Sequence, residues 1–263
     1  MINNEFDSEI KYKLFRTVNE ILHPTISKKN ISDYKIIVDE NILPVRVFYP
    51  KQVTDIDKVI IYVHGDGEVT NCIEKYSDIC KNFAIKTNCL VIAIEYDEIS
   101  DNYNKLLDEV NNTIKYLYDK LLINNIVEEN IILMSDSTGC HLTSLIKDIP
   151  IKKRILFYPV LRALYTKKDM KNEDFNIGLI EKINKYFKKY NVLDDVGIED
   201  KYLDKALVIV GKVDMLVDDI KKYVEGIEKF KLEEVAFSSH GFLSDMDKEL
   251  SNDVFTIVNK FIW

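Results

Sequence analysis

The fold class predicted by this sequence is α/β, with a mostly parallel sheet and flanking helices. Three observations carry that reading. Short apolar runs alternate with longer segments of helical spacing. The runs are continuous, as expected of strands covered on both faces. Residues with reactive side chains fall just past the ends of those runs, where open α/β sheets bind ligands.

The elements follow in order. Residues 6–24 have helical spacing (Phe6, Ile10, Leu14, Phe15, Val18, Ile21, Leu22), ended by Pro24. Residues 34–39 and 43–49 predict an antiparallel pair around Glu40-Asn41. Further strands are predicted near 58–64, 89–95, 131–134, 154–158, 206–211 and 232–237. Helices near 72–87, 103–122, 138–147, 216–230 and 249–261 separate most of them, which implies right-handed crossovers. Two segments stand outside this pattern, residues 1–30 and 161–203. The second contains a helix near 175–190, with Ile177, Leu179, Ile180, Ile183, Tyr186 and Phe187 in its pattern.

Composition narrows the class. The length of 263 residues suits one domain, with neither repeat nor linker, so residues 1–263 are read as a single unit. The net charge of −8, with both signs mixed along the chain, argues against nucleic acid and anionic membranes as partners. No run of about 18 apolar residues is present, and the N-terminus lacks a basic, then apolar, leader pattern. Cys72, Cys80, Cys89 and Cys140 show no metal-ligand spacing and read as reduced, small apolar residues. These features predict a cytoplasmic location.

Four segments carry the chemistry. Ile131 to Met134 is a buried strand, and Ser135-Asp136-Ser137-Thr138-Gly139 turns it into a helix. A serine at such a tip has an exposed hydroxyl on a strained backbone, the nucleophile elbow. Serine stands at position 135, where glycine is usual. A nucleophilic serine needs a base and a group that orients the base. Asp214 follows the apolar run 206–211, and His240 follows the last strand, in the order Ser, Asp, His. The fourth segment is the strand leading into His64-Gly65-Asp66-Gly67, a glycine turn suited to aim backbone amides at a developing oxyanion. His141 reads as solvated or supporting. Asp218 reads as a helix-start carboxylate and fallback orienter.

These motifs together resemble the hormone-sensitive-lipase-like branch of the α/β-hydrolases. His64-Gly65-Asp66-Gly67 is similar to His-Gly-Gly-Gly, and Asp136-Ser137-Thr138-Gly139 to Asp-Ser-Ala-Gly. Tyr158-Pro159, Gly211-x-x-Asp214-x-Leu216-x-Asp218 and His240-Gly241-Phe242 complete the set, over roughly residues 34–263. The resemblance implies an eight-stranded α/β-hydrolase fold with a small helical cap drawn from segments 1–30 and 161–203. It implies Ser137 as nucleophile, Asp214 as orienter and His240 as base, with the amides of Asp66, Gly67 and Thr138 as oxyanion hole. Departures are Asp66, Ser135 and Cys140 in place of glycines, and Glu95-Tyr96-Asp97 where the family has Asp-Tyr-Arg.

The expected activity is hydrolysis of short-chain carboxylic esters through an acyl-enzyme, with a small-molecule ester as partner. That chemistry requires no metal or organic cofactor. Two alternatives stay open on the sequence: an arylformamidase-type amide hydrolysis on the same triad, and a non-catalytic small-molecule binder. Asp66 bears on the choice. An ionised carboxylate about 5 Å from the oxyanion would repel it by roughly 3 kcal/mol at an effective dielectric near 20. The expectation is that its side chain turns out of the pocket.

Overall fold

The computed structural model describes residues 21–22, 31–38, 41–51, 56–65, 76–96, 102–146, 148–162, 177–190 and 203–263. Eight strands form one sheet in the order β1-β2-β4-β3-β5-β6-β7-β8. They are β1 (Ile31–Val38), β2 (Asn41–Phe48), β3 (Val59–Val63), β4 (Leu90–Ile94), β5 (Ile131–Asp136), β6 (Lys153–Phe157), β7 (Lys205–Gly211) and β8 (Phe230–Val235). The pairings β1–β2 and β2–β4 are antiparallel, and every pairing from β4 to β8 is parallel. The helices are α1 (Ser77–Thr87), α2 (Tyr103–Ile123), α3 (Ser137–Ser144), α4 (Ile177–Lys189), α5 (Val217–Val224) and α6 (Lys248–Ile262).

The alternation of side chains along buried strands divides the core into two layers. Val59, Ile61 and Val63 of β3 join Ile131 and Leu133 of β5 on one face, against Leu106, Val110, Ile114 and Leu117 of α2. Ile60, Tyr62, Ile132 and Met134 point the other way, against Phe83 of α1 and Phe255 of α6. Phe83 meets Phe255 edge-on, with ring centroids 5.0 Å apart. Asn102 starts α2 by accepting a hydrogen bond from the Lys105 amide at 3.1 Å, and Asp247 does the same for α6 from Leu250 at 2.9 Å.

The helix expected to reach residue 230 stops at Val224. Gly226 sits at φ 77°, and the Ile227 amide turns back onto the Val224 carbonyl. Val224, Ile227 and Phe230 keep helical spacing, so periodicity alone extends the helix through a turn. β8 consequently begins at Phe230 and ends at Val235, two residues ahead of the predicted 232–237. Of the segments expected to form a cap, residues 1–20, 23–30, 163–176 and 191–202 lie outside the described residues. The helix near 175–190 is present as α4. Among the described residues no helix is long and apolar enough to cross a membrane.

Candidate active site

Strand register brings the candidate residues together. Val63 of β3 pairs with Ser135 of β5, so His64 and Gly65 leave the sheet beside Asp136 and Ser137. β4 and β5 lie on opposite sides of β3, so the chain reverses direction across the sheet there, the usual place of a ligand crevice. Asp136 pairs with Phe157, so Tyr158 emerges alongside the elbow. At the far side of the sheet Gly211 pairs with Val235, which sets the loops of Asp214 and His240 next to each other.

Glycines permit the close crossings. A Cβ on Gly139 would lie 2.4 Å from the His64 carbonyl oxygen, so α3 packs directly on the end of β3. A Cβ on Gly211 would lie 2.0 Å from the Ser238 carbonyl oxygen. That crossing ties the two loops, and the Val213 amide donates to the same Ser238 oxygen at 3.1 Å. Serine is tolerated at position 135 because its hydroxyl has partners: Thr143 Oγ1 at 3.0 Å and Cys140 Sγ at 3.3 Å. Burial pushes the Cys140 thiol well above its usual range, which leaves it an inert filler.

Ser137 has φ 48°, a left-handed conformation that a non-glycine residue adopts at a cost of about 1–3 kcal/mol. Its Oγ lies 2.9 Å from His240 Nε2. His240 Nδ1 lies 3.0 Å from Asp214 Oδ2. The Asp214 side chain is fully buried, and its other oxygen accepts the Leu216 amide at 2.9 Å. Asp214 therefore meets the imidazole, while Asp218 sits in the first turn of α5. With Asp214 accepting at Nδ1, the imidazole presents Nε2 as an acceptor to the serine hydroxyl.

Thr138 lies in the first turn of α3, whose amides point out of the helix N-terminus. Asp66 and Gly67 lie outside the described residues, as do Cys72 and Asp97. The chain is described up to Gly65, where a Cβ would sit 2.8 Å from the Cβ of Ser137. His64 is buried between Tyr96 and Tyr76, with ring centroids 4.5 and 5.2 Å away. The Tyr96 hydroxyl donates to the His64 carbonyl at 2.6 Å, and Tyr76 to the Gly65 carbonyl at 3.1 Å.

Of the two readings of His141, solvated or supporting, the structure shows the second. It is fully buried, 2.7 Å from the Tyr103 hydroxyl and packed on Phe187 of α4. Tyr190 in turn packs on Tyr103, so the aromatic residues near α4 seat on α2 and α3. Arg154 is a further residue that the sequence did not single out. It is buried at the start of β6, and its guanidinium donates to the carbonyls of Thr143 and Ile146 at 3.0 and 2.9 Å. It thus caps the C-terminus of the elbow helix with a positive charge. Cys80, Cys89 and Cys140 are free and buried. Among the described residues no group of His, Cys, Asp and Glu side chains is arranged to hold a metal ion.

A family profile described as the α/β-hydrolase fold matches residues 60–244, which span every site element above. The chain belongs to the α/β-hydrolase fold family. Among relatives of this α/β-hydrolase, a protein of Acanthamoeba polyphaga mimivirus carrying the α/β-hydrolase name is 21% identical over 229 residues, covering 79% of this chain and 66% of that protein. Neutral cholesterol ester hydrolase 1 of Pongo abelii is 29% identical over 136 residues, covering 46% of this chain and 33% of that protein. The match thus spans two thirds or less of these relatives. An esterase of Pyrobaculum calidifontis superposes with a TM-score of 0.69 over 93% of this chain and 88% of that one, at 15% identity. That likeness speaks for the fold.

Proposed function

We propose that this α/β-hydrolase cleaves short-chain carboxylic esters, with Ser137 as nucleophile, His240 as general base and Asp214 as its orienting carboxylate. The observation that carries the reading is the relay itself: Ser137 Oγ 2.9 Å from His240 Nε2, and His240 Nδ1 3.0 Å from Asp214 Oδ2. Ester-cleaving relatives of the same fold add support.

Ser137 Oγ attacks the ester carbonyl while His240 Nε2 takes its proton. Asp214 holds the imidazole in the required tautomer and stabilises the imidazolium that forms. Backbone amides of Asp66, Gly67 and Thr138 would receive the oxyanion, one such donor being worth about 2.7–4 kcal/mol. The tetrahedral intermediate collapses to the acyl-enzyme, and His240 returns its proton to the leaving alcohol. Water, deprotonated by His240, then releases the acid.

Segments 1–30 and 161–203, proposed to form the cap, are short, so the acyl pocket is proposed to be shallow. Hydrolysis of p-nitrophenyl esters tests the assignment. Turnover should peak from acetyl to hexanoyl and fall steeply by decanoyl. Ser137→Ala should lower kcat on the order of a million-fold, and His240→Ala nearly as much. Asp214→Ala should cost somewhat less. Wild-type rates in purified Ser137→Ala would overturn the assignment, and faster turnover of long-chain triglyceride would overturn the shallow pocket.

A further inference from the structure

The residue beside the nucleophile makes more contacts than the triad requires. Asp136 is the last residue of β5 and is buried. Its Oδ1 accepts from the Tyr62 hydroxyl at 2.6 Å and from the Gly65 amide at 3.0 Å. Its Oδ2 lies 3.4 Å from each of the hydroxyls of Tyr76 and Tyr158. The 2.6 Å distance is that of a charge-assisted O–H···O⁻ bond. Burial first, and the Asp136 charge second, push the Tyr62 and Tyr158 hydroxyls far above the usual tyrosine range, so both remain donors.

The groups around it come from different elements: Tyr62 from β3, Gly65 from the loop after it, Tyr76 from the start of α1, and Tyr158 from the end of β6. Gly65 lies against Ser137, and Tyr158 lies against the base, its ring centroid 4.9 Å from that of His240. One carboxylate therefore touches, directly or through one side chain, the backbone around the nucleophile, the loop leading to the oxyanion amides and the imidazole.

We infer that Asp136 is a positioning residue that holds Ser137, the Gly65 backbone and His240 in register, with Tyr62 and Tyr158 as its two working donors. The inference rests on the reading of Ser137 as nucleophile. A rigid buried anchor suits this task because a misplacement of about 1 Å at a reacting group costs on the order of a hundredfold in rate. The carboxylate form matters because the Gly65 amide and the Tyr62 and Tyr158 hydroxyls converge on its two oxygens, while the Tyr76 hydroxyl, which donates to the Gly65 carbonyl, stands beside Oδ2. An amide at this position keeps one acceptor oxygen for Tyr62 and Gly65, whereas alanine keeps none.

Steady-state kinetics on p-nitrophenyl acetate, with thermal melting of each variant, test this. Tyr62→Phe and Tyr158→Phe should each lose roughly tenfold or more in kcat with KM within twofold of wild type. Asp136→Asn should recover part of the activity lost in Asp136→Ala. Because the Asp136 variants put the fold itself at risk, the two tyrosine variants decide the matter. A lowered melting temperature with kcat unchanged in both would overturn the inference and leave a purely structural cluster. Absence of esterase activity in the wild-type protein would instead overturn the nucleophile reading, and this inference with it.

Discussion

Ser137 and His240 face each other across 2.9 Å, yet the two are supported by different ground. Ser137 follows β5, an interior strand between β3 and β6. Around it the backbone of His64 lies too close to Gly139 for any side chain, and Asp136 gathers a backbone amide and three tyrosine hydroxyls. His240 follows β8, an edge strand with charged residues, Lys231 pairing with Glu233 and Glu234 with Lys221 of α5. The turn that leads to it carries Phe237, 97% exposed, and nearby Val213 is 60% exposed. Both Ser137 and Phe237 have positive φ, 48° and 52°. At Ser137 the surrounding packing dictates the conformation; at Phe237 nothing is packed against the side chain. The same backbone geometry is a fixed feature in the first place and a replaceable one in the second.

Substitutions in the two regions should separate widely. Outside the triad, Gly139→Ala has the largest expected effect. Its methyl would meet the backbone oxygens of His64 and Val63 at 2.4 and 2.6 Å, which cannot rotate away. Overpacking costs about 1–3 kcal/mol of stability, and the displaced elbow should lose at least about a hundredfold in ester turnover. Near-wild-type kinetics in Gly139→Ala would mean that the elbow is softer than its contacts indicate.

Arg154→Met comes next. It removes two charged hydrogen bonds from the end of α3 and should cost about 2–3 kcal/mol, a fall of roughly 5–10 °C in melting temperature. Calorimetry reads this directly, and an unchanged melting temperature would remove Arg154 from the elbow's support. Asp66→Gly places a glycine where the resembling family has one, in the loop proposed to supply oxyanion amides, and should raise kcat for acetyl esters about three- to thirtyfold, or about 0.7–2 kcal/mol in barrier. A lower kcat in that variant would show that the carboxylate assists the loop.

Phe237→Asn is the smallest. Asparagine tolerates the left-handed backbone better than phenylalanine. Melting temperature should stay level or rise by a few degrees, with kcat and KM unchanged. A large loss of activity there would erase the contrast between the two limbs.

Much of this architecture was legible in the sequence because buried parallel strands read as unbroken apolar runs. β3 to β7 fall within one or two residues of their predicted spans on that signal. The proximity of Ser137, Asp214 and His240 was legible too, since residues just past the ends of parallel strands share one edge of the sheet. The Asp136 anchor was not legible. Tyr62 sits in an apolar run and reads as core, and nothing in linear order says that its hydroxyl points at a carboxylate 74 positions away. Arg154 was missed for a related reason: a charge at a strand start reads as solvated, and only the packing of α3 over β6 buries it. The sequence left His141 open between a solvated and a supporting place because its burial depends on Phe187, far along the chain in α4. The early end of α5 was hidden by Ile227 and Phe230, which prolong an apolar period through a turn.

The proposed chemistry requires that His240 activate Ser137, and covalent labelling measures that without knowledge of the substrate. Wild-type protein and the Ser137→Ala and His240→Ala variants would be incubated with a fluorophosphonate and read by intact mass. The expected result is one adduct per wild-type chain, mapped to Ser137, none on Ser137→Ala, and labelling slowed by orders of magnitude in His240→Ala. A folded wild-type protein that takes up no adduct, or that labels equally fast without His240, would contradict the account and favour a non-catalytic binder on the same fold.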